Sequence, residues 1–349
     1  MSEMGGIEAP KLVQEIAEKG LDVPDEFLYQ KGFPGATDAP LMWSDNLLID
    51  FDLLSSSSPS ANYELAKFYS ALTTWGCFQV KNHGMEKELL EEVIQVTKQF
   101  FKLPLEEKMK SSSTSYGELQ GYSTDAICKM NQPTNWNDRL FLILHPKDNG
   151  NPLMWPQQPH RFREAVDEYT RKLVKMSEGI YKAMAKTLNL EEDTFIKPTK
   201  DGLTLGRFTV YPACPFPERV LGSAPHLDGT TMTIILTNVE GLQVQKDGVW
   251  YKVPVIPGAL FVNVGDYIEV MTNGKFKSVM HRVVTNSTQD RTSVGAFCGP
   301  EANCEIEPLS ELVSAEEPAL YKKFKASEYL NIFYETFPLG LNALDALKL

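Results

Sequence analysis

Between residues 203 and 308 the apolar residues change period. Upstream they recur every three or four positions; here they alternate, in short runs punctuated by Gly, Asn, Asp and Pro. The runs are LGRFTVYP, TMTIILTN, GLQVQKDGVWYKVP, GALFVNVGDYIEVMTNG, SVMHRVVTN and RTSVGAFCGP. Alternation marks strands with one buried face, and many short strands at this spacing predict a sandwich or jelly roll.

The flanks read differently. NYELAKFYSALTTWG places Leu65, Phe68 and Leu72 on one helical face. MEKELLEEVIQVTKQFFKL repeats that pattern until Pro104, and HRFREAVDEYTRKLVKMSEGIYKAMAKTLNL is a long amphipathic helix behind the turn WPQQP. LLIDFDLL predicts a short strand near 47–52. SSSSPS (55–60) and SSSTS (111–115) read as linkers, and the tail returns to helix. The expected organisation is a largely helical region at 1–195, a jelly roll at 196–310 and a helical lid or tail at 311–349.

Composition narrows the partners. A net charge of −12 argues against a nucleic-acid polyanion. The first residues form no secretory or transit signal, and no stretch approaches the roughly 18 apolar residues of a membrane span. Five scattered cysteines, Cys77, Cys128, Cys214, Cys298 and Cys304, form no CxxC pair. They predict a reduced, cytoplasmic protein, with Cys298 and Cys304 as two buried thiols rather than a zinc site. We expect a monomer.

In APHLDGTTMTIILT, His226 and Asp228 are i and i+2, and so share one face of an extended segment. His281 lies in another β run. Two imidazoles and one carboxylate on facing walls of a jelly roll can hold one metal on a single triangular face. That leaves three positions open, the arrangement suited to Fe(II) and oxygen. A structural zinc site would instead be closed by four protein ligands. Ten residues on, Arg291 and Ser293 share a strand face and form a carboxylate clamp. Arg207, Thr209 and Tyr211 share another face, and Tyr211 can add a hydrogen bond to the same carboxylate.

HxD…H followed by RxS resembles the plant 2-oxoglutarate- and Fe(II)-dependent dioxygenase family, whose fold is that of isopenicillin N synthase. Further matches include WGCFQVKNHG, FFKLPLEEK, WNDRLFLILHP, YPACPFPERVLG and NVGDYIEVMTNGKFKSVMHRVVTN. The resemblance is strongest to the alkaloid and flavonoid O-demethylases and the norcoclaurine-synthase-like group. It implies a distorted double-stranded β-helix within an α+β, mostly β architecture. By this likeness His226, Asp228 and His281 are the iron ligands, while Arg291, Ser293, Tyr211 and Thr209 bind 2-oxoglutarate. Thr209 and Val210 stand where the family's NYYP motif has Asn and Tyr, so co-substrate binding is altered there rather than abolished. The implied cofactors are Fe(II), 2-oxoglutarate and ascorbate as reductant. The implied reaction releases succinate and CO2 and, through a ferryl intermediate, hydroxylates or O-demethylates an aromatic small molecule using O2.

Positions beside these motifs are candidate pocket residues: Phe297, Phe141, Arg207, Arg139, Leu140, Leu227 and Met232. Phe297 and Phe141 can stack an aromatic substrate, and Arg207 or Arg139 can meet a carboxylate, phenolate or carbonyl. The C-terminal YLNIFYETFPLGLNALDAL can close as a lid or simply cap the jelly roll. His83 reads as structural, His145 and His160 as solvated, and Trp75 as packing a helix end. Two other readings stay open: an iron and O2 enzyme of this fold that does not use 2-oxoglutarate, and a non-catalytic small-molecule-binding jelly roll.

Overall fold

The protein is described by a computed structural model covering residues 12–349 except 21, 43–44, 55, 57, 113–119, 125–132 and 337–338. The three-to-four spacing yields helices α1 (Val13–Glu18), α2 (Phe51–Leu54), α3 (Pro59–Thr74), α4 (Lys87–Phe101), α5 (Leu105–Met109) and α6 (Phe162–Thr187). Pro59 opens α3 in its first turn, where a missing N–H costs nothing. Cys128 and most of the SSSTS run lie outside the described residues.

The helical region also contributes strands: β1 (Leu48–Asp50), β2 (Cys77–Lys81), β3 (Gly121–Thr124) and β4 (Asp138–His145). The alternating region gives β5 (Thr204–Tyr211), β6 (Leu221–His226), β7 (Met232–Thr237), β8 (Leu242–Lys246), β9 (Val249–Lys252), β10 (Leu260–Val264), β11 (His281–Val284) and β12 (Arg291–Cys298). One run departs from expectation. Residues after Gly265 turn into a helix, α7 (Asp266–Met271), whose apolar side chains are all buried. A six-residue run with most side chains buried carries no period that separates strand from helix. The tail holds the small pair β13 (Glu305–Ile306) and β14 (Phe324–Lys325), followed by α8 (Ala326–Thr336).

Two sheets form the double-stranded β-helix. The major sheet runs β1-β2-β10-β7-β12-β5-β4-β3 and the minor sheet β6-β11-β8-β9. The major sheet has two faces of different chemistry. Leu140, Leu142, Leu144, Phe208, Val210, Met232, Ile234, Val294 and Ala296 join the main apolar core. That face is covered by α4 and α6: Phe162 of α6 packs on Phe208 at 5.2 Å, and Tyr122 packs on Phe100 of α4 at 5.8 Å. The alternate positions point the other way and carry Arg139, Phe141, Arg207, Thr209, Tyr211, Arg291, Ser293, Phe297, Thr233 and Asn263. Among the described residues no helix is long and apolar enough to cross a membrane.

Candidate active site

His226 and His281 are cross-strand partners on β6 and β11. Their ring centroids lie 4.2 Å apart. They are thus neighbours in the minor sheet rather than residues on facing walls, which corrects the expected placement. Asp228 follows β6 and reaches across to the major sheet. Its Oδ1 lies 3.6 Å from Nε2 of each histidine. One ligand atom from each of the three side chains lies within 4.8 Å of the others.

Each imidazole is oriented from behind. His226 Nδ1 donates to the Ala224 carbonyl at 2.7 Å, and His281 Nδ1 to the Val279 carbonyl at 3.0 Å. A carbonyl only accepts, so Nδ1 carries the proton and Nε2 keeps its lone pair toward the cluster. Burial, then the neighbouring His281, push the His226 pKa down to about 3, so the ring is neutral at physiological pH. Burial would raise the Asp228 carboxyl, but the two imidazoles and its hydrogen bonds outweigh it and hold the group below the usual carboxylate range. Two imidazole nitrogens and one ionised oxygen, converging on one point, fit a single divalent iron.

The second group lies on the major sheet. Arg291 stands opposite Tyr211, and Ser293 opposite Thr209, on adjoining strands. Arg291 is 2% exposed and its guanidinium lies 5.0 Å from the Tyr211 ring centre. Its Nε donates to the Val239 carbonyl at 3.1 Å, while Nη1 is buried with no hydrogen-bond partner. Burial lowers the Arg291 pKa from its ordinary value, against the pull of Tyr211. An orphaned guanidinium nitrogen on the strand pair that also carries Tyr211 and Ser293 fits a ligand carboxylate, as a 2-oxoglutarate site requires. Gly241 makes room for this arginine: its φ is +144°, and a Cβ there would come within 2.9 Å of Arg291 Cδ.

The candidate pocket residues divide. The rings of Phe141 and Phe297 lie 6.3 Å apart at 44°. The Arg139 and Arg207 guanidinium groups lie 4.5 Å and 5.6 Å from the Phe141 ring centre. Arg207 also donates to Asn137 Oδ1 at 3.3 Å. These four share the face that bears Arg291. Leu140 and Met232 do not: both are 0% exposed, on the helix-covered face of the sheet. Strand alternation places them one residue out of phase with the pocket, and they are core residues. Leu227 is turned away as well. It lines a separate cleft of about 350 Å³ with Trp75, Lys246 and Met280.

Other readings resolve plainly. His83 is a structural histidine, with Nε2 donating to the Gly258 carbonyl at 2.9 Å. His145 and His160 are exposed, and Trp75 caps α3 and packs on Tyr251 at 5.2 Å. Cys298 is buried but Cys304 only half-buried, so the two are not a matched pair of core thiols. The tail caps the loop after Asp228: the Phe333 ring lies 3.3 Å from where a Cβ on Gly229 would stand.

Two residues were missed. Thr233 and Asn263 both donate to Asp228 Oδ2, at 2.6 Å and 3.0 Å. The available signal was polar residues at alternate positions of otherwise apolar strands: Thr231 and Thr233 in TMTIILTN, and Asn263 in LFVNV.

Comparison with known proteins gives consistent results. Residues 200–300 match the family described as the 2OG-Fe(II) oxygenase superfamily. Residues 48–159 match the N-terminal region described as that of the non-haem dioxygenase in morphine synthesis. Lateral branching oxidoreductase 1 of Arabidopsis thaliana is 35% identical over 97% of this chain and 95% of its own length. Codeine O-demethylase of Papaver somniferum is 35% identical over 93% of this chain and 92% of its own. A crystal structure of JOX2 in complex with 2OG, Fe and JA superposes with a TM-score of 0.83 at 35% identity, covering 93% of both chains.

Proposed function

This chain belongs to the 2-oxoglutarate- and Fe(II)-dependent oxygenases, and we propose that it hydroxylates or O-demethylates an alkaloid- or flavonoid-like aromatic small molecule of plant specialised metabolism. The observation that carries the reading is the His226–Asp228–His281 cluster together with a buried Arg291 whose Nη1 has no hydrogen-bond partner. Relatives named for O-demethylation of codeine and of flavonoids support the reaction class.

In this reading His226, Asp228 and His281 hold the iron through Nε2, one carboxylate oxygen and Nε2. Arg291 takes the distal carboxylate of 2-oxoglutarate, with Ser293 and Tyr211 donating hydroxyl protons to it. Thr209, 1% exposed and opposite Ser293, presents a short hydroxyl in the same row. Bound iron with 2-oxoglutarate and O2 supplies oxidative decarboxylation to succinate and CO2 and the oxidising power that replaces a substrate C–H by C–OH. On an O-methyl group the hydroxylated product is a hemiacetal, which releases formaldehyde.

Phe141 and Phe297 give the substrate two ring faces, and Arg139 and Arg207 add donors at the same end of the sheet. A substrate pairing an aromatic ring with an acceptor or anionic group suits that surface. We read 196–310 as the oxygenase unit and 1–195 and 311–349 as its walls, working as a monomer. The orphaned Arg291 nitrogen favours 2-oxoglutarate use over the readings that do without it. The test is succinate formation from 2-oxoglutarate with Fe(II) and O2 across a panel of methoxylated alkaloids and flavonoids. Stimulation by a panel member, with formaldehyde or a hydroxylated product in equal amount, supports the proposal. No stimulation across the panel contradicts it.

A further inference from the structure

The two oxygens of Asp228 have different neighbours. Oδ1 faces both imidazoles at 3.6 Å, whereas Oδ2 accepts from Thr233 Oγ1 at 2.6 Å and from Asn263 Nδ2 at 3.0 Å. Thr233 and Asn263 are themselves cross-strand partners on β7 and β10, so both donors come from one rigid pair. Neither is accidental. The Thr233 hydroxyl proton is committed to the carboxylate, so the Thr230 hydroxyl 3.3 Å away donates to Thr233. Asn263 leaves its own Oδ1 buried without a partner, so the side chain serves through its NH2.

The backbone fixes this register. Asp266 N donates to the Asp228 carbonyl at 2.9 Å, Gly265 N to Thr231 at 3.0 Å and Tyr267 N to Thr230 at 3.1 Å. The loop after Asp228 is thereby sewn to the loop after Asn263. Gly265 is required for that approach, because a Cβ there would lie 2.2 Å from the Thr230 carbonyl oxygen.

We propose that Thr233 and Asn263 are positioning residues that set the denticity of Asp228. A carboxylate can bind a metal through one oxygen or chelate it through two. Two donors on Oδ2 keep that oxygen off the metal, and Asp228 then fills one coordination position. The consequence would be functional: a co-substrate that chelated the iron would take two of the remaining positions and leave one for O2. An aspartate that swings to chelate occupies one of them. The inference rests on the three residues being the metal ligands.

The test compares wild type, Thr233→Val, Thr233→Ser and Thr233→Val/Asn263→Ala, each loaded anaerobically with Fe(II) or Co(II) and titrated with 2-oxoglutarate. The double variant is expected to lose about 10–100-fold in metal affinity, the range for lost supporting hydrogen bonds. Its Co(II) absorption spectrum should change, and its 2-oxoglutarate affinity should fall by more than its metal affinity. Thr233→Ser should restore both, and Thr233→Val, the milder change should folding suffer, should lie between. Wild-type spectra and 2-oxoglutarate affinity in the double variant would overturn the proposal. So would equal losses of metal and 2-oxoglutarate affinity that Thr233→Ser does not rescue. If wild type itself takes up no Co(II), the metal reading fails first and this inference with it.

Discussion

Arg291 and Tyr211 face each other across adjoining strands, the guanidinium 5.0 Å from the ring centre and one of its nitrogens buried without a partner. A buried cation with an unused donor is unstable unless a ligand completes it. Arg291→Gln should therefore raise the 2-oxoglutarate KM by about 30–1,000-fold, the equivalent of about 2–4 kcal/mol for a charged pair lost in a site. Metal affinity should change little, because Arg291 touches none of the three ligands. Steady-state kinetics in 2-oxoglutarate alongside a metal titration separate the two effects.

Asp138 supplies a helix cap from far along the chain. Its Oδ1 and Oδ2 accept the backbone N–H groups of Val13 and Gln14, each at 2.9 Å, at the start of α1, where no local side chain caps the helix. Burial raises the Asp138 pKa to about 6, so the group is ionised at pH 7.5. Asp138→Asn turns one acceptor into a donor facing a donor. It should cost about 1–3 kcal/mol and speed hydrogen exchange at residues 13–18 while leaving the sheet protected. Unchanged exchange there would contradict the assignment.

Asp266 gives a pH signature to the metal-free protein. Burial raises its pKa to about 7, against the opposing pull of the Ser278 hydroxyl and a hydrogen bond from Tyr329, whose hydroxyl lies 2.6 Å from Oδ2. The native state holds this proton more tightly than the unfolded chain, whose aspartate titrates near about 4. That contribution to stability is complete below pH 4 and is lost as pH rises through about 7. Asp266→Asn mimics the neutral acid and keeps an acceptor for Tyr329. Relative to wild type, D266N should gain about 1–3 kcal/mol between pH 5 and pH 8 in thermal or urea unfolding. A difference that does not vary with pH would count against this account.

Neighbouring residues on β4 should fail in different ways. Leu140→Ala removes a fully buried side chain from the helix-covered face and should cost about 2–5 kcal/mol of stability. Phe141→Ala strips the partner ring of Phe297 from the pocket face and should mainly weaken substrate stimulation of succinate formation. Equal stability losses with equal substrate response would place both on one face.

The residues that could be read in advance are those whose chemistry depends on strand period alone. Arg291 and Ser293, and the row Arg207–Thr209–Tyr211, each follow from i, i+2 spacing on a strand, whereas His226 closes β6 and Asp228 lies just beyond it. That same rule would have excluded Leu140 and Met232, which alternate out of phase with Phe141 and Thr233. The pairing of His226 with His281 in one sheet was not legible, since it depends on which strand β6 pairs with, and its partner lies 55 residues away. Nor was the helix after Gly265, because six residues with only Asp266 and Glu269 polar are too few to reveal a period. Thr233 and Asn263 were hidden for a different reason: their role depends on the register between β7 and β10, which pattern does not specify.

The most direct measurement is anaerobic Fe(II) titration of the full chain, metal-free at the start, read by equilibrium dialysis for wild type, His226→Ala and His281→Ala. The account predicts one tightly held iron per chain in wild type and a loss of at least about 100-fold in affinity in each variant. Wild-type affinity retained in both variants would show that the iron, if bound at all, sits elsewhere.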